Sequence, residues 1–567
     1  MKKSSFWLLP LLLLLAVTLF SGCSNEAKST EEDDDNAPAD ARGSLISFQL
    51  GTSDYDVIDE DATRAGNDNK GRVVSSSTDN LGDGLEALVE VVESPTPKAI
   101  TRATSNAPAG KYTILAYQNG EQKAKWVVNY NGSTYSMVEG NKEQYLPTGS
   151  YKFYVFNDKV TFSNDKIVKS LENGDKNALY FEDDVTIPNT KKHKVSFTLK
   201  PVYAQVFFKI KGFSNAAFKN DMSGKFVYDA NSIPGTETVD PVNRSNSFAN
   251  NTAAGSVDVG SFTANKPDGT KASYIETNNA TYFLPGTDVT KLRFTFNNTA
   301  NGQVYGKPVA GKTLSITNPI SGNLVAGKTY KVNVTIYYSA KYLFSDGSVG
   351  TLMTNKGKTP VALVVNENAS VKNGRTAIGI TNVGSFQWSS LQRQGRDGQN
   401  KNNYSYNEAG LRKAIANYDG LLETWDGSYT LKPSGGVKKG ESDGFPAFKN
   451  AANYKPAVNG NKWYLPGAGD WDLALIYFGI TDAAAGYAKN SQRRHNWPSR
   501  LGYQLVEILF YQVNGDAFED WYWASNTWDS SHAAAMTILI YNVGAEKVHF
   551  GGAAKNATAK VRAFIHY

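Results

Sequence analysis

The chain of 567 residues is too long for one hydrophobic core, and its 40% hydrophobic residues exclude a wholly disordered protein. Its 59 basic and 54 acidic side chains give a net charge of only +5, which excludes a dominant basic surface for nucleic acid. A single cysteine excludes intrachain disulfides, cysteine-rich zinc sites and catalytic cysteine pairs. Abundant tyrosine, phenylalanine and glycine favour a β-rich protein, and the length favours three or four domains.

A lipoprotein signal peptide is predicted over residues 1–22. Two lysines precede an apolar run that ends at Phe20 and is short for a membrane-spanning helix. The following Ser21-Gly22-Cys23 resembles a bacterial lipobox, with Phe20 in the place of the usual leucine. The resemblance implies lipidation of Cys23 and cleavage before it, which accounts for an unpaired thiol in an exported protein. Ordinary signal cleavage beside an incidental cysteine is the alternative.

Residues 23–84 are predicted to form a disordered acidic tether. From Ser24 to Arg42 the chain has an acidic run at residues 31–35 and almost no apolar side chains, so this part cannot bury enough surface to fold. An acidic run in this place is similar to the surface-export signals of Bacteroidetes lipoproteins. A spacer that an anionic membrane repels is the alternative interpretation.

Two β-sandwiches are predicted over residues 85–199 and 200–340. In both regions, short alternating apolar runs end at Gly, Asn, Pro or Asp, as strands and turns do. A Leu-Pro motif followed by an aromatic strand occurs in each region, at residues 145–154 and 283–296. This repetition is consistent with two related sandwiches.

The order of these elements resembles the fimbrillin family of Bacteroidales pilus subunits over roughly residues 20–340. The matching elements are the lipobox, the polar tether, the strand at 111–117, the Leu-Pro element, and the closing Ala-Gly-Lys-Thr-Tyr-Lys-Val-Asn-Val-Thr at residues 326–335. The resemblance implies two tandem transthyretin-like sandwiches in a mostly β protein.

The resemblance also implies a mechanism of assembly. An arginine-specific protease removes the tether together with a first strand, and the vacated groove accepts a donor strand from another subunit. The preferred candidates are the strand Ala87–Val92 and cleavage at Arg102, because this arginine closely precedes the strand that contains Tyr112. The strand Leu45–Leu50 with cleavage at Arg64 is the alternative. Exposed loop arginines that are never processed are a third interpretation.

An α+β domain is predicted over residues 341–567, where tryptophans are concentrated between residues 388 and 528. Its ordered motifs are Trp463-Tyr-Leu-Pro-466, Asp470-Trp471, Trp521-Tyr-Trp-Ala-Ser-525 and Val561-Arg562. This order resembles the C-type-lectin-like fold, in the branch shared with formylglycine-generating enzymes and bacterial surface domains.

Several side chains of this domain have expected roles. We expect Trp463, Leu465 and Trp471 to pack where a helix docks on the sheet. The resemblance suggests that Arg562 is anchored by a buried carboxylate or by backbone groups. Flat aromatic rings beside polar groups suit stacking on sugars or side chains, although a tryptophan-rich core is the alternative. The ligand-binding candidates are Trp497, Trp521, Trp528, Asp529 and His532.

We expect neither catalysis nor a cofactor. Formylglycine generation uses cysteines within the domain, and none follows Cys23. No zinc-protease motif, P-loop or dinucleotide fingerprint is present, and no tight acidic cluster of the EF-hand type indicates a metal site.

The sequence predicts a pilus tip subunit with a C-terminal adhesin domain. It is expected to be exported as an outer-membrane lipoprotein precursor and then carried on fimbriae at the cell surface. Its expected partners are other pilus subunits, through a donor strand, and a glycan or protein ligand, with no nucleic acid. The segment Lys560–Tyr567 reads as a core strand rather than a free donor extension, which suits a terminal subunit. A pilus anchor subunit and a standalone glycan-binding surface lipoprotein are the alternatives.

Overall fold

A computed structural model gives the fold of most of the chain, which is mostly β, with two tandem β-sandwiches followed by an α+β domain, as predicted. The described residues are 35–58, 71–95, 105–140, 143–219, 222–269, 271–298, 301–319, 322–370, 374–390, 399–480, 494–496, 500–518, 520–528, 534–541 and 547–567.

The strands fall into three groups along the chain. The strands up to residue 201 are β1 (Ser44–Thr52), β2 (Arg72–Gly82), β3 (Leu85–Glu93), β4 (Ser105–Asn106), β5 (Gly110–Gln118), β6 (Glu121–Tyr130), β7 (Tyr135–Glu139), β8 (Tyr145–Leu146), β9 (Gly149–Asn157), β10 (Thr161–Ser163), β11 (Lys166–Ser170), β12 (Leu179–Ile187) and β13 (Lys192–Pro201). Those from residue 204 to 338 are β14 (Ala204–Gly212), β15 (Phe218–Lys219), β16 (Gly224–Tyr228), β17 (Pro234–Asp240), β18 (Ser245–Asn250), β19 (Gly255–Asp258), β20 (Lys266–Pro267), β21 (Ser273–Glu276), β22 (Thr281–Phe283), β23 (Arg293–Phe296), β24 (Gln303–Val304), β25 (Lys307–Pro308), β26 (Thr313–Ser315) and β27 (Thr329–Tyr338).

The last part of the chain holds the helices. Its strands are β28 (Tyr342–Phe344), β29 (Val349–Gly350), β30 (Pro360–Asn366), β31 (Thr376–Gly379), β32 (Gly384–Gln387), β33 (Gln399–Asn400), β34 (Asn403–Tyr404), β35 (Thr430–Lys432), β36 (Trp463–Tyr464), β37 (Arg494–Asn496), β38 (Asp520–Trp528), β39 (Ala534–Tyr541), β40 (Lys547–Ala554), β41 (Thr558–Val561) and β42 (Phe564–His566). Its α-helices are α1 (Glu408–Ile415), α2 (Gly420–Trp425), α3 (Pro446–Ala452), α4 (Ala468–Tyr477) and α5 (Arg500–Tyr511).

The first sandwich is formed by one continuous sheet, ordered β4-β1-β13-β12-β9-β5-β6-β7, in which side chains of β1 and β13 pack against those of β9 and β6. Alternate residues of each strand face inward, so aromatic rings from the two parts of the sheet meet in the core. The rings of Phe48 and Trp126 lie 5.2 Å apart, and those of Phe153 and Phe197 lie 5.3 Å apart. These contacts place β1 inside the folded body.

The prediction of a disordered tether over residues 23–84 is therefore wrong for its described strands. Residues 44–52 form β1 in the first sandwich, and residues 72–82 form β2 in the second. Acidic composition was a poor guide here, because an edge strand needs only one apolar face to be held by a sheet.

The second sandwich packs the sheet β2-β3-β27-β14-β21-β20 against the sheet β19-β16-β23-β26. Phe208 and Phe294 stack between these layers with ring centres 4.1 Å apart, and the Phe226 ring meets both edge-on. Burial of such rings supplies much of the hydrophobic stabilisation.

A third sheet, β10-β11-β17-β18, crosses the boundary predicted at residues 199 and 200. It joins strands of both sandwiches through the pairing of β11 with β17, from Ile167↔Val239 to Ser170↔Thr236. Within it, the Lys169 ammonium lies 2.9 Å from a Glu237 carboxylate oxygen, and both side chains are less than a tenth exposed. The shared sheet ties the two sandwiches into one body.

The third domain packs helices α1, α4 and α5 against two sheets. Its described strands are ordered β29-β28-β30-β31-β42-β36 in one sheet and β32-β41-β38-β39-β40-β37 in the other, where β34 also pairs with β38. Trp471 of α4 lies within 5.6 Å of the rings of Tyr522, Phe518 and Phe564, so this helix is fixed on both sheets.

Replacing Lys169 by methionine is expected to destabilise the joined sandwiches by about 3–5 kcal/mol, because the Glu237 carboxylate would remain buried without its cation. The double variant Lys169→Met/Glu237→Leu should recover most of that loss, since it removes both charges. Urea unfolding of the single and double variants measures the difference. Equal losses in the two variants would show that the pair contributes no coupling.

Candidate functional site: N-terminal strands held in both sandwiches

The N-terminal segment enters the first sandwich as β1. Its sequence alternates apolar and polar residues, and the inward side chains Ile46, Phe48 and Leu50 are at most 6% exposed. β1 runs parallel to β13, from the pair Leu45↔Lys192 to the pair Thr52↔Leu199. The other edge of β1 meets only the two-residue strands β4 and β8. Most of its described backbone pairing is therefore with a single strand.

The segment then continues along the same line into the second sandwich. The Ser53 N–H donates to the carbonyl of Leu199 at 2.9 Å, and the Asp56 N–H donates to the carbonyl of Gly327 at 3.0 Å. Gly327 lies just before β27, so residues 44–58 span the junction between the two domains.

The hairpin β2–β3 closes one end of the second sandwich's main sheet. β3 runs antiparallel to β27, from the pair Leu85↔Tyr338 to the pair Glu93↔Tyr330. The inward side chains of β3, Leu85, Ala87, Val89 and Val91, are at most 1% exposed. β2 lies outside β3 at the end of the sheet order.

The turn of this hairpin needs left-handed backbone. Gly82, Asp83 and Gly84 have φ angles of 73°, 54° and 78°, a conformation that glycine adopts without a Cβ penalty. The carboxylate of Asp83 accepts a hydrogen bond from Lys312 at 2.8 Å, which ties the turn to the opposite sheet.

Both strands named as alternatives from the sequence are thus structural, one in each sandwich. Leu45–Leu50 lies in β1, and Ala87–Val92 lies in β3. Each contributes one apolar stripe to a core. Among the strands outside residues 44–93, β1 pairs mainly with β13, and β3 pairs with β27. If residues 44–93 left together, β13 and β27 would each lose their main partner on that edge, and two apolar grooves would open.

The predicted modification sites lie outside the described residues. Cys23 belongs to residues 1–34, Arg64 to residues 59–70 and Arg102 to residues 96–104. Their positions along the chain nevertheless define what each cut would detach. A cut at Arg64 separates β1 from the rest, whereas a cut at Arg102 separates β1, β2 and β3 together.

Of the ligand-binding candidates in the third domain, the structure describes Trp521 and Trp528. Trp528 is 1% exposed and its indole N–H donates to the carbonyl of Gly551, so the prediction that it binds a ligand is wrong. Alternation along a strand does not reveal which face is covered. Trp521, also on β38, is half-buried against the core around Trp523. The other three candidates, Trp497, Asp529 and His532, lie outside the described residues.

The structural roles expected in this domain are confirmed. Trp463, Leu465 and Trp471 are at most 2% exposed. Arg562 is fully buried, and its guanidinium donates to the backbone carbonyls of Gly379, Asp516 and Ala517 rather than to a carboxylate. Of the two anchoring modes suggested, the backbone mode is the one found.

A buried polar network is a feature that sequence reasoning missed. The Lys439 ammonium donates to the Asn400 amide oxygen at 3.1 Å and to the carbonyls of Glu423 and Tyr429 at 3.3 and 3.2 Å. Glu423 accepts from the Asn526 amide at 3.0 Å. Burial raises the pKa of the Glu423 carboxyl and lowers the pKa of Lys439 to about 8.

This network joins side chains and carbonyls from β33, α2 and β38 with Lys439, and β38 is distant in sequence, so no local motif could have indicated it. Within the described ranges, no group of three or more Asp, Glu, His or Cys side chains could hold a metal ion. Of the helices in the same ranges, none is both long and apolar enough to cross a membrane.

Comparisons with known proteins give distant likenesses. No protein-family model matches the chain, and no curated protein matches it either. Among solved structures, a fimbrial protein from Bacteroides ovatus is similar over 93% of this chain and 99% of its own, with 11% identity and a TM-score of 0.26.

Two further structures are similar over part of the chain. A fimbrial protein from Bacteroides vulgatus covers 43% of this chain and 93% of its own, with 15% identity and a TM-score of 0.26. A candidate cell adhesion protein from Bacteroides uniformis covers 41% of this chain and 88% of its own, with 13% identity and a TM-score of 0.29. All three TM-scores are below 0.5, so the fold rests on the strand pairing described above.

The stability of the third domain is expected to depend on the protonation of His566. Its ring nitrogen Nε2 lies 2.7 Å from the Tyr464 hydroxyl, and burial lowers its pKa from 6.5 to about 4. As the pH falls through this window, the unfolded chain binds the proton first, so the native domain loses stability. At pH 5 the free energy of unfolding of the domain is expected to be about 2 kcal/mol lower than at neutral pH or above.

Thermal unfolding between pH 7 and pH 4, followed for the native chain and for His566→Gln, measures this effect. The variant should lose less stability than the native chain over that range. Parallel curves would contradict a buried neutral histidine.

Proposed function

We propose that the protein is a pilus tip subunit, assembled by exchange of its N-terminal strands for a donor strand, which binds a surface ligand through its third domain. The observation that carries this proposal is the placement of β1 and β3, each of which lines one sandwich core and pairs with one strand of the remaining body, β13 or β27. Of the two candidate cleavage arginines, Arg64 lies between these strands in the sequence and Arg102 follows both of them.

Energetics favour replacement rather than simple loss of these strands. Removing β1 and β3 would expose core faces that Ile46, Phe48, Leu50, Val89 and Val91 now cover. Each large apolar side chain buried is worth about 1.5–3 kcal/mol, so an empty pair of grooves would cost much of a domain's stability. An incoming strand with apolar residues at alternate positions would restore both the packing and the backbone hydrogen bonds.

Cleavage at Arg102 suits this role better than cleavage at Arg64. A cut at Arg102 frees the whole segment that carries β1, β2 and β3, so that both grooves open. A cut at Arg64 leaves the β2–β3 hairpin attached, and only the groove beside β13 opens. A cut at either site would also separate the folded body from the lipid proposed on Cys23, as release from an outer-membrane precursor requires.

β42 is a structural strand of the third domain. This strand pairs with β31 on one side and β36 on the other, and Phe564 and Ile565 are fully buried. Donating it to a neighbouring subunit would break the third domain's sheet.

Digestion of the full-length precursor with an arginine-specific protease is expected to yield a stable product that begins at Ala103. N-terminal sequencing of the folded product measures the site. The matched controls are Arg102→Lys, which should abolish that product, and Arg64→Lys, which should leave it unchanged.

A folded body that survives with neither arginine cut would remove support for strand exchange, and would favour an anchor subunit or a standalone lipoprotein that keeps its N-terminal strands. A product that begins at Ala65 would shift the proposal to exchange of β1 alone.

A further inference from the structure

The linker between the second and third domains lies against the first residues of β3. Ser339 follows the last residue of β27, and its N–H donates to the carbonyl of Gly84 at 2.7 Å. Its hydroxyl donates to a carboxylate oxygen of Glu86 at 3.0 Å. Both partners belong to the N-terminal segment, so that segment holds the linker from one side.

The third domain holds the same linker from the other side. Gln512, just after α5, accepts from the Tyr338 N–H at 3.0 Å and donates to the Tyr338 carbonyl at 3.0 Å. The same amide nitrogen lies 2.7 Å from the Tyr342 hydroxyl. A side-chain amide thus extends the sheet in the place of a strand, and the linker is fixed between β3 and the third domain.

Other described polar contacts between these domains include partly exposed ones. Lys271 donates to the carbonyl of Gly515 and lies 3.3 Å from the Asp516 carboxylate, with both side chains more than a third exposed. The Gln504 amide reaches Ser214 and Ala216 at 3.4 Å. Exposed pairs of this kind contribute little, so the contacts at residues 338 and 339 act together with the burial of Ile508 of α5 in the core of the second sandwich.

We propose that the N-terminal segment, residues 44–93, is a latch that restricts the movement of the third domain relative to the second until the segment is released. This inference rests on the proposed function, because release requires the strand exchange argued above. While β3 is in place, Gly84 and Glu86 fix the linker. When the segment leaves, both partners are lost, and only the Gln512 side of the clamp is retained.

The latch couples pilus assembly to the range of orientations that the third domain can take relative to the second. An incoming strand could restore the bond to the Ser339 N–H only if it reached the far end of β27, where Leu85 now pairs with Tyr338. It would restore the bond to the Ser339 hydroxyl only if it placed an acceptor side chain where Glu86 lies. A shorter or differently substituted donor strand leaves the third domain freer to turn toward a ligand.

The latch is tested first in the uncut chain, independently of cleavage. Glu86→Ala removes one partner of Ser339, and Glu90→Ala is the matched control on the same face of β3, away from the linker. Amide hydrogen exchange at Ser339 should be about tenfold faster in Glu86→Ala than in Glu90→Ala, since a lost hydrogen bond lowers the local opening free energy. Equal exchange in the two variants would overturn the latch.

The second arm measures domain freedom before and after release. Spin labels at Lys291→Cys and Lys413→Cys, both exposed, report the distance between the second and third domains in a Cys23→Ser background. The distance distribution should broaden when the chain is cut at Arg102 and the N-terminal fragment is removed. An unchanged distance distribution in the cut chain would overturn the latch. If the chain is not cut at all, that result counts against the proposed function, and the amide hydrogen exchange of the uncut variants then decides whether the latch exists.

Discussion

The pairing of β3 with β27 is the contact on which the second sandwich and its link to the third domain depend. β27 lies between β14 and β3, so it is central only while β3 is present. The same pairing buries Leu85, Val89 and Val91 and positions the residues that hold the linker at Ser339. β3, which lies between β2 and β27, therefore contributes to a core, to the main sheet of the second sandwich and to an interdomain joint.

The first two domains act as one body because several connections cross their boundary. β13 passes into β14 through only Val202 and Tyr203, and the sheet β10-β11-β17-β18 takes strands from both sandwiches. The buried pair of Lys169 and Glu237 lies within that sheet. A rigid body keeps the grooves beside β13 and β27 in a fixed relation, which suits a partner that must occupy both.

The sequence was informative where structure is local and weak where it depends on distant pairing. Alternation identified the strand at residues 111–117 and the apolar stripes of β1 and β3, and motif order identified the helix-and-sheet packing around Trp471. Composition misplaced the start of the fold, because β1 is held by β13, which lies about 150 residues further along the chain. The burial of Trp528 and the network around Lys439 also depend on strands and helices that meet only in the folded chain, so no spacing in the sequence indicates them.

The central claim is that the N-terminal strands are replaceable parts of the two cores. Its most direct measurement is uptake of a fluorescent peptide with the sequence of residues 72–93 by the protein cut at Arg102, followed by anisotropy and gel filtration. We expect the peptide to replace the resident fragment and stay bound, and a peptide carrying Val89→Asp not to bind, because its charge would enter the apolar core. Failure of the unmodified peptide to bind a folded, cut protein from which the fragment has been removed would show that these strands are not replaceable.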